Sequence, residues 1–277
     1  MIDAWLKAGA RLHSELRGIA EVVSLAEAAR YAAAVALELP EVLRTRTLVP
    51  ADRRAAGRDV TFHVFGTEVR LSGDLFSSAR EIYGRRVYFA LPHFRIHPGD
   101  VVVDLGANCG VFTTLAACVA RKVIAVEAQI GFCSEIRRNL ERNRCYANVA
   151  VEFGLVGASS GSFADDQMIE TSSHFNGVRP PVLALRDVFD RHGAERVDFM
   201  KIDIEGSEFA LFKEADEWLP RISKIAMEVH PVFGDPKELE GLLKLGGFCT
   251  ARLAADLQPS RIISEHGGYL YAWRSGS

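Results

Sequence analysis

The chain reads as an α/β protein. The expected core is a mostly parallel, Rossmann-like sheet with an antiparallel C-terminal edge strand, preceded by a helical and hairpin N-terminal extension. Three observations predict this. From Pro98 onward, short apolar runs alternate with helical stretches. The run VVVDL, Val101 to Leu105, carries an acid at Asp104 and leads into Gly106, Ala107, Asn108 and Gly110 before a helix begins. The next run, VIAV, stops at a second acid, Glu127. That order of parts describes a nucleotide-type pocket at the carboxyl ends of two adjacent parallel strands.

The elements follow in order. Ile19 to Leu39 is rich in Ala, Leu and Glu and reads as a helix that Pro40 stops. Leu43 to Arg58 reads as a break. Val60 to Leu71 alternates around Gly66-Thr67 like a hairpin. Asp74 stands where a cap would start a short helix running to about Arg86. After the Pro98-Gly99 turn, strands are expected at 101–104, 122–126, 149–153, 197–203 and 224–229. Helices are expected at 110–120, 131–143, 184–192, 207–218 and 236–245. Phe248 to Leu253 and Tyr269 to Arg274 supply the final strand pair. The polar connection from Ala158 to Pro181 is long for a loop, and long connections are often lids or binding loops; His174 and Asn176 in it read as solvated loop residues, with substrate contact the alternative. Residues 1–96 therefore form the extension, a lid, substrate platform or dimer contact, and residues 97–277 the sheet domain.

Composition narrows the function. A net charge of -3 over 277 residues gives no nucleic-acid footprint. The apolar stretch Tyr31 to Leu39 is short and contains Glu38, so no membrane span is expected. Five scattered cysteines, an odd number with no CxxC pair, indicate neither a disulfide framework nor a zinc site. Free thiols point to the cytoplasm.

The pocket discriminates between nucleotides. A dinucleotide loop would carry a third glycine for the pyrophosphate. Here Asn108 stands in the glycine pattern, and Asp104 lies directly under the loop. An acid there suits a cationic or amino-bearing ligand better than a phosphate. Glu127 stands where an acid binds both ribose hydroxyls. A second group of acids follows. Asp203 and Glu205 bracket the end of one strand, and Glu228 and His230 the end of the next. Strand alternation would bring each pair to one side. His230 has the best ordinary pKa for a general base, with Asp203 the alternative. Glu208 reads as favourable charge in the first turn of a helix, Lys201 as an ion-pair partner, and Tyr83 and Tyr88 as core packing. The spacing assigns no metal ligand, although carboxylates with one imidazole could hold magnesium or manganese.

The loop D-L-G-A-N-x-G resembles the cofactor site of class I methyltransferases. DFMKIDIEGSEFALF, Asp198 to Phe212, resembles the signature of the FkbM-type methyltransferases, D-x-x-K-x-D-x-E-G-x-E. Every motif position matches, at Asp198, Lys201, Asp203, Glu205, Gly206 and Glu208. IAMEVHP, Ile225 to Pro231, resembles a further element of that family. The resemblance implies a small-molecule methyltransferase that uses S-adenosyl-L-methionine, most simply on a hydroxyl of a sugar or secondary metabolite. It implies cofactor contacts from Asp104, Gly106, Ala107, Asn108, Gly110, Glu127, Ala128 and Asp203, and catalysis by His230, Asp203 and Glu205. The family's proline after the second acid is replaced by Ala128-Gln129-Ile130-Gly131. The rival readings are an NAD-dependent oxidoreductase on a similar sheet and a non-catalytic cofactor-binding scaffold.

Overall fold

A computed structural model describes residues 12–157, 177–265 and 267–275. A helical segment covers 12–20. It is followed by α1 (Leu25–Leu37), α2 (Leu39–Thr45) and α3 (Val49–Ala55). Pro40 and Pro50 therefore begin helices where a stop and a break were expected. Each lies in the first two positions of its helix, where the missing N–H costs nothing and the fixed φ is helical. The expected hairpin forms from β1 (Val60–Val64) and β2 (Thr67–Leu71), but its turn is Phe65-Gly66, one residue earlier than expected, with Val64 opposite Thr67. Asp74 caps nothing. It sits inside a 3-10 turn, Gly73–Leu75, ahead of α4 (Phe76–Ala79), which widens into a π-helical turn over Arg80–Arg85.

The sheet contains β3 (Val101–Leu105), β4 (Lys122–Glu127), β5 (Val149–Phe153), β6 (Phe199–Ile202), β7 (Lys224–Val229), β8 (Cys249–Ala254) and β9 (Gly268–Trp273). Its strand order is β5-β4-β3-β6-β7-β9-β8. The first five positions pair in parallel, while β9 runs antiparallel to both β7 and β8. The connections are α5 (Val111–Val119), α6 (Ile130–Arg142), α7 (Leu185–Arg191), α8 (Glu208–Leu211), α9 (Ala215–Trp218) and α10 (Pro236–Leu245). The expected single helix over 207–218 is instead α8 and α9 joined by a 3-10 turn, Phe212–Glu214. The chain order reverses between β3 and β6, which opens a crevice at their carboxyl ends.

Alternation along the central strands builds two cores. Val102, Val123, Ala125, Phe199 and Tyr271 face one side, and Val103, Ile124, Val126, Met200 and Ile202 the other. The first face is covered by α5, α6 and the N-terminal extension together. Phe89 stacks on Phe112 with ring centroids 5.5 Å apart, and Phe94 meets Phe199 edge-on at 5.7 Å. Such aromatic pairs add about 0.5–1.5 kcal/mol each beyond their buried area. The extension is thus one layer of the sheet domain's own core. Beneath it, Arg80 is buried with Glu15 and Asp52, and Tyr31 donates to Asp52 at 2.7 Å. No helix among the described residues is long and apolar enough to cross a membrane.

Candidate functional site

The glycine loop leaves β3 at the switch point. Gly106 N–H and Ala107 N–H both donate to the Val126 carbonyl, at 3.0 and 3.1 Å, which ties the loop to β4. Gly106 has φ 72°, and a Cβ there would stand 1.7 Å from the Asp203 carbonyl oxygen. Only glycine allows β6 and the loop to approach so closely. Asn108 takes a left-handed φ of 50°, which Asn tolerates, and its side chain accepts from Cys109 N–H at 2.7 Å. Gly110 precedes α5. Tyr83 donates to the Val111 carbonyl at 2.6 Å, so the extension also steadies that helix start.

Glu127 is 5% exposed. Its two oxygens accept from Asn108 N–H at 2.7 Å and Gln129 N–H at 2.8 Å. Burial pushes its carboxyl above the usual range, against the pull of those two N–H groups. An ionised carboxylate has about four acceptor positions, so about two remain for a ligand. Ala128 beside it is buried.

Asp104 requires a correction. It was expected to line the cofactor, but it is wholly buried beneath the loop. Thr113 donates to one of its oxygens at 2.6 Å, and Lys201 Nζ lies 3.1 Å from the other. The physical reason is register: Asp104 and Lys201 are direct partners across β3 and β6. Lys201 also donates to the Gly106 carbonyl at 2.6 Å. The pair therefore shapes the loop from below.

The acids after β6 and β7 do converge, though not by strand alternation. β6 ends at Ile202, so Asp203 and Glu205 stand in a turn, with Glu205 at φ 53° and Gly206 at φ 96°. A Cβ on Gly206 would enter the Phe233 ring, 2.0 Å from its edge. Asp203 Oδ2 accepts from the Tyr88 hydroxyl at 2.8 Å. His230 Nδ1 lies 2.9 Å from Glu208 Oε1, and its Nε2 lies 3.6 Å from Glu205 Oε2. Glu208 is an acid in the first turn of α8, as expected, and is also fully buried against His230.

Charge crowding sets the proton affinities. Burial and the charges of Asp203 and Glu81 push Glu228 up to about 8. Burial and Asp203 also raise Glu205. For His230, burial acts downward, but the hydrogen bond and charge of Glu208, with Asp203 and Glu205 behind it, push the ring up to about 9. These acids favour the charged form of the imidazole. One oxygen each of Asp203 and Glu205 and one ring nitrogen of His230 lie within 4.8 Å of one another, a set that could hold a metal. Tyr88, expected to pack in the core, also reaches the site: its hydroxyl meets Asp203, 115 residues away, which its local pattern does not display. His174 and Asn176 lie outside the described residues.

This is an α/β protein with a mostly parallel sheet, a glycine loop and a buried carboxylate at the switch point, and an acid-histidine cluster beside them. The Methyltransferase FkbM domain family matches residues 104–249, just over half of the chain, and the protein belongs to that family. It is 29% identical over 213 residues to the 31-O-demethyl-FK506 methyltransferase FkbM of Streptomyces tacrolimicus, covering 61% of this chain and 80% of that protein. Among solved structures it is similar to an rRNA methylase from Streptococcus thermophilus, at 13% identity and a TM-score of 0.42, over 70% of this chain and 95% of that one. It is also similar to M. capricolum TrmK in complex with S-adenosyl-homocysteine, at 8% identity and a TM-score of 0.40, over 69% and 68% of the two chains.

Proposed function

We propose that this protein is an S-adenosylmethionine-dependent methyltransferase that methylates a hydroxyl oxygen of a small molecule. The observation that carries the reading is Glu127. It is a buried carboxylate with both oxygens aimed by backbone N–H groups, beside a loop that lacks the third glycine of a pyrophosphate site. That donor set suits a ribose diol with no phosphate attached. Glu127 would hold the two ribose hydroxyls, Ala128 would lie against the base, and the 106–110 backbone would take the amino-acid end. Once bound, S-adenosylmethionine supplies an electrophilic methyl carbon.

The remaining chemistry belongs to this chain. A hydroxyl that attacks carbon must release its proton. The group that takes that proton lies in the acid-histidine cluster: His230, Asp203 or Glu205. The Tyr88 hydroxyl donates to Asp203 at 2.8 Å, and Glu208 holds the His230 ring through Nδ1. The relative from Streptomyces tacrolimicus is named a 31-O-demethyl-FK506 methyltransferase, which supports a hydroxyl oxygen as acceptor. None of the five cysteines is in a disulfide, in keeping with a reducing, cytoplasmic setting. Methyl-labelled S-adenosylmethionine incubated with a panel of hydroxylated small molecules tests the reading. O-methyl product from the wild type, lost in Asp203→Asn, supports it. Product labelled only on nitrogen overturns the oxygen assignment.

A further inference from the structure

Two strand ends deliver three ligand-type atoms to one point. Asp203 and Glu205 follow β6, His230 follows β7, and the three atoms lie within 4.8 Å of one another. Outer contacts orient these side chains. Tyr88 donates to Asp203 Oδ2 at 2.8 Å and so fixes the carboxylate's orientation. Glu208 occupies His230 Nδ1, so Nε2 is the nitrogen that faces the carboxylates. Imidazoles that bind metals almost always give their other N–H to a carboxylate or carbonyl, which fixes ring and tautomer.

Glu208 supplies a second observation. Its side chain is 0% exposed, one oxygen lies on His230, and Oε2 has no hydrogen-bond partner among the described residues. A buried carboxylate half satisfied in this way is costly unless positive charge stands nearby. Asp203, Glu205, Glu208 and Glu228 surround His230, while Lys201 is drawn 3.1 Å from Asp104 and lies 3.8 Å from Asp203. The balance around the ring is anionic.

We propose that Asp203, Glu205 and His230 bind one divalent cation of the magnesium or manganese type, with Glu208 and Tyr88 as positioning residues for the ligands. Two oxygens and one imidazole suit those hard ions better than a thiolate-seeking metal. Bonds of about 2.1 Å put ligand atoms up to about 4.2 Å apart, so the cluster closes on an ion with movements below about 1 Å. The cation's open positions would take an acceptor's oxygen and lower that hydroxyl's pKa. This assignment deepens the methyltransferase reading and revises the sequence expectation of no metal ligand.

Titration of the metal-stripped full-length protein with Mn²⁺, following the electron paramagnetic resonance signal of the free ion, tests the site. S-adenosylhomocysteine binding is measured calorimetrically on the same preparation. The wild type is expected to bind Mn²⁺ one to one and release it to excess Mg²⁺. Asp203→Asn and His230→Gln should lose binding, Glu208→Gln should weaken it about 10–100-fold, and Glu240→Gln, remote in α10, should bind as wild type. Melting curves identify any variant that fails to fold, and His230→Gln with Glu208→Gln then decide. No Mn²⁺ binding at millimolar concentration, or binding unchanged in His230→Gln and Glu208→Gln, overturns the site. Homocysteine-ligand binding without Mn²⁺ binding removes the cation and leaves the methyltransferase reading. The reverse result removes that reading and leaves the cation.

Discussion

Lys201 Nζ lies 3.1 Å from Asp104 Oδ1, and the two residues are direct partners across β3 and β6. Both are buried, so each is the other's main charge compensation. Removing one partner of a buried pair costs about 3–5 kcal/mol, because the other charge is left without compensation. Lys201→Met should therefore lower stability by about that amount in urea unfolding. The same variant should weaken S-adenosylhomocysteine binding, because Lys201 also holds the Gly106 carbonyl. Unchanged stability would remove the pair from its bracing role.

Gly106→Ala tests the close approach of loop and strand. The new methyl would meet the Asp203 carbonyl oxygen at 1.7 Å, and the left-handed φ alone costs about 1–2 kcal/mol for a residue with a side chain. The loop must move away from β6. The expected result is a lowered melting temperature with loss of S-adenosylhomocysteine binding, read by calorimetry.

Tyr88→Phe separates positioning from binding. The ring stays and only the hydroxyl on Asp203 is lost. Misplacing a reacting group by about 1 Å can cost about 100-fold, so kcat should fall by roughly 10–100-fold. KM for S-adenosylmethionine should stay within about twofold, because Glu127 and the glycine loop keep their places. A changed KM with constant kcat would reassign Tyr88 to the cofactor pocket.

The sequence made the sheet legible because each strand of 4–6 residues carries its own apolar run. The Asp104 to Glu127 order located the pocket, and the Asp198 to Glu208 spacing located the acids. Three features were not legible. Asp104 is a brace because its neighbour across the sheet is Lys201, and register between β3 and β6 joins residues 97 positions apart. Glu208 bonds His230 because the chain turns at Glu205 and Gly206, where a left-handed backbone replaces the expected strand. Several acids surround His230 and favour its charged form, which no single motif displays. The two prolines misread as breaks show a simpler limit: proline ends one helix and begins the next with the same chemistry.

Glu240 provides a pH test away from the site. Burial alone would raise its carboxyl, but Lys244, Thr250 and Arg252 donate to it and hold it down at about 2, against an ordinary 4.5. A depressed folded pKa adds stability that is complete above the unfolded value and disappears as pH falls through the folded one. Stability should therefore drop between about pH 4.5 and pH 2 in the wild type. Glu240→Gln should be less stable than the wild type at pH 7, with the gap closing toward pH 2. Urea unfolding across that range measures it, and a gap that widens on acidification would contradict the assignment.

The central claim is that Glu127 and the 106–110 loop form a nucleoside pocket without a pyrophosphate site. Calorimetric titration of the wild type and Glu127→Ala with S-adenosylhomocysteine and with NAD tests it most directly. Losing hydrogen bonds to a charged group is worth about 1.5–3 kcal/mol, which is roughly 10–100-fold in affinity. The account predicts one-to-one binding of S-adenosylhomocysteine, no binding of NAD, and that loss in the variant. Binding of NAD alone, or full affinity for S-adenosylhomocysteine in Glu127→Ala, would contradict it.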